Sequence, residues 1–310
     1  MAVPPGPRAV RQTAPVRSFV LVLLAAVCFG TTGTAQALGP DASPSAVGLA
    51  RIVCGGLVLG LVATWFLRRH GGTGVAPGVL WPPMLAGAAG MLAYQPTFFL
   101  GTSENGVAVG TVVALGSAPV LTGVLEWLVT GRRPTAVWGV ATLVAVLGVG
   151  LLAGADGGGG GTSVAGLLGS VGAGLSYAVY AVASKRLLDA GVPQPVTVGG
   201  VFGLAALGAV PFLLLVDLSP LESGAGVAMI AWLGLVTVAV AYVLFVAGLA
   251  GLRASTVSSL TLAEPVTACL LGVLVLDERL TGQAALGVLA VALSVVLLAA
   301  GARRTTAHAS

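Results

Sequence analysis

Residues 254–276 read ASTVSSLTLAEPVTACLLGVLVL, and Glu264, next to Pro265, is the only charged residue among them. A helix of about 20 predominantly apolar residues crosses the hydrocarbon core of a bilayer, so this stretch is long enough to span a membrane. It does not show the short alternating pattern of a transmembrane β-strand. The stretch therefore predicts a membrane helix with an acid and a proline near its middle.

The rest of the chain has the same character. Of its 310 residues, 57% are hydrophobic and only 8% are charged, too few charges to cover a water-soluble fold. The weakest divisions between its apolar runs are Arg253 and the segment 103–105. The predicted spans are 18–38, 45–67, 80–101, 105–129, 135–154, 163–186, 195–216, 226–250, 254–276 and 282–301. The predicted fold class is an all-α membrane protein with ten transmembrane helices.

The basic residues indicate the orientation of these helices. With the N-terminus in the cytoplasm, all of the 14 basic residues except Arg51 and Arg279 lie on the cytoplasmic side, as the positive-inside rule expects. Those on the cytoplasmic side are Arg8, Arg11, Arg17, Arg68, Arg69, Arg132, Arg133, Lys185, Arg186, Arg253, Arg303 and Arg304. We therefore expect a multi-pass protein of the cytoplasmic membrane with both termini in the cytoplasm. The first span has signal-peptide features, but its length favours an uncleaved helix.

Two halves of the chain are related by an offset of 146 residues. Residues 118–122 (APVLT) align with residues 264–268 (EPVTA), and residues 131–135 (GRRPT) align with residues 277–281 (DERLT). Five spans lie on each side of a five-glycine run. Because five is odd, the second half must be inverted relative to the first, which is typical of secondary transporters. The predicted architecture is two inverted five-helix repeats.

The segment Leu262-Ala263-Glu264-Pro265-Val266, followed by Leu276-Asp277-Glu278-Arg279-Leu280-Thr281, resembles the EamA-type proteins of the drug/metabolite transporter superfamily. The resemblance covers nearly all of residues 18–301. It implies a cytoplasmic tail (1–17), a five-helix repeat (18–155), a glycine-rich periplasmic linker (156–162), a second repeat (163–301) and a cytoplasmic tail (302–310). Ala118 replaces the acid in the first half, so we expect coupling chemistry only in the second half. Members of the family move amino acids, other metabolites, toxic compounds or sugars.

Glu264 is the main candidate for a transport residue. An ionisable side chain near the middle of a membrane helix is costly unless it faces the bundle interior or a water-filled cavity. There it could bind a proton or a cationic group of a substrate. The alternative is structural, since a carboxylate can also bond backbone groups freed by Pro265. Glu126, about one turn from the end of its span, is expected to reach water or the neighbouring arginines instead.

Other polar side chains at bundle depth are further candidates for binding a substrate or a coupling ion. Aromatic, amide and hydroxyl groups suit an organic ligand, although each could equally be a packing residue. These candidates are Tyr94, Gln95, Tyr177, Tyr180, Tyr242, Ser258 and Thr261. Prolines are also expected to interrupt helices, and broken helices often mark a binding site in transporters. These prolines are Pro96, Pro119, Pro211 and Pro265.

The sequence argues against several other functions. It has no H-E-x-x-H motif and no phosphate loop, so metal-dependent hydrolysis and ATP hydrolysis are poor fits. Neither histidine lies within a span, which argues against a nucleophile activated by histidine. We expect no metal, no cofactor and no nucleic-acid partner. An intramembrane enzyme, a channel and a non-transporting accessory protein remain as alternatives. The favoured function is a secondary transporter, more specifically an exporter, of a small organic metabolite or drug-like molecule. Protons are the candidate coupling ion. The expected oligomeric state is a monomer or a homodimer.

Overall fold

The computed structural model describes residues 15–154, 163–276 and 281–307, and no β-strand occurs among them. The segment Asp277-Glu278-Arg279-Leu280 and the glycine run lie outside the described residues. The helices are α1 (Pro15–Ala37), α2 (Pro44–His70), α3 (Pro77–Thr130), α4 (Ala136–Gly154), α5 (Val164–Asp189), α6 (Gln194–Leu213), α7 (Gly224–Trp232), α8 (Ala241–Leu249), α9 (Ala254–Leu260), α10 (Glu264–Val275) and α11 (Gly282–Ala307). Both ends are more helical than expected, because α1 begins within the predicted tail 1–17 and α11 extends into the predicted tail 302–310.

The outer surface of the bundle is apolar. Large hydrophobic side chains such as Leu128, Leu143 and Leu289 are exposed, whereas much of the interior is alanine, glycine and serine. Eight helices of the described residues are long and apolar enough to cross a membrane, and Ala136–Leu152 is a shorter apolar helix. An apolar exterior of this extent requires lipid as its solvent, so the chain is a multi-pass membrane protein.

Helix α3 is interrupted within its 54 residues. A straight helix of that length would measure about 80 Å, far more than the roughly 30 Å of a bilayer core. Gly106 has φ 78° and ψ 156°, a conformation that other residues rarely adopt, and it ends the first part of α3. Asn105 donates to the Ser163 carbonyl (3.1 Å) and accepts from the Ser163 amide (2.6 Å), which holds the break against the start of α5. The division between two spans that the sequence predicts at 103–105 is therefore found one residue later, at Gly106.

The helix after α6 contains a turn that the sequence did not predict. Residues Leu233–Val240 form a π-helical segment that joins α7 to α8. The Thr237 hydroxyl donates to the Leu233 carbonyl (2.6 Å) inside this segment. Single π-turns within α-helices frequently occur at functional sites.

Proline affects the other helices unequally. A short 3₁₀ turn, Thr261–Ala263, precedes α10, and Pro265 occupies the first turn of α10, where it needs no amide hydrogen. The expected interruptions at Pro96 and Pro119 do not end α3, and Pro211 lies two residues before the end of α6. A proline removes one intrahelical hydrogen bond, and in a membrane bundle neighbouring groups can satisfy the freed carbonyl.

Glycines allow the main helix pairs to approach closely. Helix α2 packs against α6, α4 against α11, α5 against α3, and α1 against α8 and α10. At the α2–α6 crossing, a Cβ placed on Gly56 would lie 2.5 Å from the Phe202 carbonyl oxygen, and one on Gly60 would lie 3.2 Å from the Gly203 Cα. The G-x-x-x-G spacing of Gly56 and Gly60 is thus used within the chain.

We expect Gly148→Leu to destabilise the protein and Gly150→Leu, in the same helix, to leave it nearly unchanged. A Cβ at Gly148 would lie 2.9 Å from the Gly287 carbonyl oxygen, whereas nothing lies within 4 Å of one at Gly150. Overpacking of this kind costs about 1–3 kcal/mol. Thermal unfolding in detergent measures the difference, and equal midpoints for the two variants would contradict the assigned α4–α11 contact.

Candidate functional site

A cavity of about 600 Å³ lies in the middle of the bundle. Side chains from α1, α2, α3, α5, α6, the π segment, α8, α9 and the start of α10 line it. It extends to the connection between α1 and α2, where Gly39, Pro40, Asp41 and Ala42 form part of its wall. This volume is in the range of sites that enclose a small organic molecule.

The irregular backbone segments border this cavity. Thr237 of the π segment, Thr261 of the 3₁₀ turn and Val107, beside the break at Gly106, all line it. Within a bilayer, non-helical backbone is tolerated only where it is buried in protein or lines a water-filled space. The π segment and the 3₁₀ turn, which interrupt membrane spans, therefore have a physical reason in their position beside the cavity.

Glu264 lines the cavity from the first position of α10. The 3₁₀ turn before it and Pro265 after it set where this helix begins, and they position the carboxylate beside the opening in the bundle. The side chain is half-buried. Within the described part of the chain, its carboxylate forms no hydrogen bond and no ion pair shorter than 4.0 Å.

Arg51 is the second charged side chain in the interior of the cavity, and the sequence analysis missed it. It projects from the first half of α2, and its buried Nε atom has no hydrogen-bond partner. It lies within electrostatic range of Glu264, Tyr94 and Tyr242, although no described acidic group is within ion-pair distance of it. A signal was present in the sequence, since an ionisable residue inside a predicted span is a functional candidate by default.

Three of the four candidate tyrosines line the cavity. Tyr94, Tyr177 and Tyr242 are on its wall, and the Tyr177 hydroxyl lies 3.2 Å from the Thr261 hydroxyl. The Tyr242 ring packs against the rings of Phe202 (4.3 Å between centroids) and Phe29 (4.9 Å). These contacts leave an aromatic surface that suits an apolar or aromatic part of a ligand.

Tyr180 does not line the cavity. Its side chain is fully buried behind the wall, with its ring centroid 5.4 Å from that of Tyr242 and 5.7 Å from those of Phe202 and Phe245. It therefore supports the aromatic wall from behind.

The remaining polar candidates also border the cavity. Gln95 is 5% exposed and fits against α2 because residue 48 is glycine: a Cβ there would lie 2.7 Å from the Gln95 Oε1 atom. Ser258 accepts a hydrogen bond from the Thr122 hydroxyl (3.3 Å), and Thr261 donates to the Ser258 carbonyl (2.8 Å). Ser258 thus both borders the cavity and joins α9 to α3.

Ser255 and Ser259 form a polar stripe on α9 together with Ser258, and these two serines have packing roles. The Ser259 hydroxyl lies 2.8 Å from the Thr142 hydroxyl, and the Ser255 carbonyl accepts from the Trp138 indole nitrogen (3.0 Å). The structure therefore divides the polar stripe of α9 between a cavity-facing part and a helix-packing part.

The end of the bundle opposite the α1–α2 connection is closed by polar contacts. Glu126, 6% exposed, accepts hydrogen bonds from the backbone amides of Ala254 (3.2 Å) and Ser255 (3.1 Å). The expectation that Glu126 reaches water or the side chains of Arg132 and Arg133 was wrong, because its partners are Arg253 and these two amides. Its carboxylate caps the N-terminus of α9, where unpaired amides and the helix dipole favour a negative charge.

Arg253 strengthens this closure. Its Nε atom lies 3.9 Å from the Glu126 carboxylate, and its guanidinium donates to the carbonyls of Arg132 (3.3 Å) and Arg133 (3.4 Å) after the end of α3. At the same end, Lys185 donates to the Leu249 carbonyl (3.2 Å). We call the contacts among Glu126, Arg253, Ala254 and Ser255 the polar latch.

No group of three histidine, cysteine or acidic side chains within the described ranges could hold a metal ion. The chemistry that the described cavity wall offers is binding, through two carboxylates, one guanidinium, three phenols and two amides. A multi-pass helical bundle with such a central cavity defines the class of membrane transporters.

Comparison with known proteins agrees with this class. The EamA-like transporter family matches residues 16–154 and 164–300. A protein of Bacillus subtilis (strain 168) named "Uncharacterized transporter YwfM" is 39% identical over 286 residues, which cover 92% of this chain and 94% of that protein. A protein of known crystal structure, 22% identical, shares the fold with a TM-score of 0.77 over 93% of this chain and 98% of that chain.

The chain belongs to the EamA-like transporter family. It is a transporter rather than an enzyme, and it moves a small molecule across a lipid membrane.

We expect Glu126→Gln to lower stability by about 1–2 kcal/mol, because a neutral amide is a weaker cap for two buried amides and a weaker partner for Arg253. Glu222→Gln, at an exposed glutamate of the 3₁₀ turn Ser219–Glu222, is the matched control and should be neutral. Thermal unfolding tests stability, and hydrogen exchange at the amides of Ala254 and Ser255 tests the cap. Unchanged exchange at these amides in Glu126→Gln would refute the capping role.

Proposed function

We propose that this protein is a secondary transporter that exports a small organic molecule by alternating access, with Glu264 as the proton-binding residue. The observation that carries the proposal is a cavity that holds an unpaired acid at bundle depth and reaches only one end of the bundle. An acid in this setting can alternate between a proton and a donor group of the substrate.

The proposed topology has ten crossings and two inverted halves, with both termini in the cytoplasm. The break at Gly106 supports two crossings within α3, and the helix pairs support the repeat. In a pseudo-twofold arrangement, the second and fifth helices of one half meet their counterparts, as α2 meets α6 and α4 meets α11. The first helix of each half then packs against the third and fourth of the other, which fits α5 on α3 and α1 on α8 and α10.

In this topology the cavity opens to the outside and the polar latch closes the cytoplasmic side. Release of a substrate outward would take place from this state. To reach the inward-open state, the transporter has to break the contacts of Glu126 with the start of α9 and close the α1–α2 end. The polar latch is therefore a candidate cytoplasmic gate.

Proton coupling follows from competition for Glu264. In the outward-open state a proton enters from outside and binds the carboxylate, which displaces a donor group of the substrate. In the inward-open state the proton leaves toward the cytoplasm and a new substrate binds. Arg51, Tyr94, Tyr177 and Tyr242 lie on the same cavity wall as Glu264, and Arg51 is the cation among them.

The proposal predicts gradient-driven efflux that depends on Glu264. Proteoliposomes loaded with a defined metabolite mixture are given an imposed pH gradient, and mass spectrometry follows the released compounds. Wild type and the control Glu222→Gln should release at least one compound faster with the gradient than without it. Glu264→Gln, which cannot ionise, should release it at one rate in both conditions. Equal gradient-dependent rates for wild type and Glu264→Gln would refute the coupling role.

A further inference from the structure

The state of Arg51 requires an explanation that the proposed function does not give. An arginine within a membrane helix is costly, and such residues ordinarily pair with an acid or with backbone carbonyls. Here the buried Nε atom has no partner, and no described acid lies within 4.0 Å of the guanidinium. Glu264 is near enough to interact electrostatically but does not form the pair. Arg51 therefore keeps its hydrogen-bonding capacity for something that enters the cavity.

A carboxylate is the group that best matches the unpaired Arg51 guanidinium. A guanidinium presents its donors in a planar fork that matches the two oxygens of a carboxylate, and such bidentate pairs are among the stronger hydrogen bonds in proteins. A phosphate dianion fits less well, since Arg51 is the one cation that the described residues place on the cavity wall, while Glu264 and, at the mouth, Asp41 repel a second negative charge. The charge balance of the wall thus favours a group with one negative charge.

The rest of the wall indicates what is attached to that carboxylate. Tyr94, Phe98 and Phe99 follow one another along α3, and Tyr242 and Phe29 line the same cavity from other helices. The Tyr94 and Phe98 rings are stacked, with 5.6 Å between their centroids. This surface suits an apolar or aromatic body, and about 600 Å³ limits its size to that of a small metabolite.

We infer that Arg51 binds the carboxylate of the transported molecule, so that the substrate class is a small organic carboxylate with an apolar or aromatic body. The inference rests on the proposed function for the fact of transport, but the binding step can be tested alone. Arg51 is a specificity-determining residue in this account, and Glu264 remains available for a proton or for a donor group elsewhere in the same molecule.

The test compares ligands that differ only in the polar group. The purified protein is titrated with acetate, hexanoate, 3-phenylpropionate and phenylalanine, and with the matched amine phenethylamine and the neutral 3-phenylpropionamide. Thermal stabilisation and calorimetry report binding. We expect 3-phenylpropionate or phenylalanine to bind and the amine and neutral amide to bind at least about tenfold more weakly, because only a carboxylate gains the charged bidentate pair.

The variants assign this preference to one side chain. Arg51→Gln should weaken carboxylate binding by about tenfold or more, and Arg51→Lys should retain part of it, because a lysine keeps the charge but not the fork. Arg186→Gln is the control, since it removes the same charge from an exposed position outside the cavity wall and should leave binding unchanged. Unfolding midpoints without ligand verify that each variant is folded. If Arg51→Gln does not fold, the comparison of binding uses Arg51→Lys.

Three results would overturn the inference: no carboxylate binds, the amine or amide binds as tightly as the carboxylates, or Arg51→Gln and Arg51→Lys both bind carboxylates as wild type does. Failure of the proposed function looks different. If carboxylates bind through Arg51 but no compound leaves the proteoliposomes, transport is refuted and the anion site stands. If compounds are exported but one of these three binding results is obtained, transport stands and the anion site is refuted.

Discussion

A charged group is not solvated in the hydrocarbon core of a bilayer, and this constraint determines where charged side chains can lie inside the protein. Arg51 on α2 and Glu264 at the start of α10 both lie within apolar membrane spans, so both have to face a space that water or a polar ligand can enter. The cavity provides that space. Helix packing, irregular backbone and aromatic side chains are arranged around it, and each of these features has a physical reason once the position of the two charges is given.

The backbone follows the same logic. A helix in lipid satisfies its own amides and carbonyls, and departures from it are tolerated only beside water or protein. The π segment, the 3₁₀ turn before Glu264 and the Gly106 break contribute residues to the same cavity wall. Elsewhere, close contacts through Gly56, Gly148 and Gly287 hold pairs of helices together through packing, since lipid offers no hydrophobic force between them. The regular outer helices thus support an irregular centre.

Much of this arrangement could be predicted from the sequence. Hydropathy identifies the membrane helices, and the cost of a buried acid places Glu264 beside a cavity. The resemblance carried by the Leu262–Val266 segment correctly assigned the family, which the match over 16–154 and 164–300 establishes. Ten crossings, the inverted repeat and the orientation stay predictions, as do the roles of the individual site residues.

What the sequence did not provide depends on contacts between distant segments. The Glu126 carboxylate caps a helix that begins 128 residues later, and no local pattern encodes that pairing. Tyr177 and Tyr180 are one turn apart on α5, yet only Tyr177 reaches the cavity, and a helix that is apolar on all faces gives no sign of which side is which. The π segment contains no proline that would mark it. Arg51 was treated as an exception to the charge rule, when its position inside a span was the stronger signal.

The cavity connects Arg51 and Glu264 to the α1–α2 end of the bundle, so water should reach these two charges from that side. Labelling of Thr261→Cys, in a chain whose Cys28, Cys54 and Cys269 are replaced by alanine, tests this claim directly, with Leu289→Cys on the exposed apolar surface as the control. A membrane-impermeant sulfonate thiol reagent is applied from either side of sealed vesicles. We expect Thr261→Cys to react from the side of the α1–α2 connection and Leu289→Cys to react from neither side. A Thr261→Cys side chain that is unreactive from both sides would contradict it.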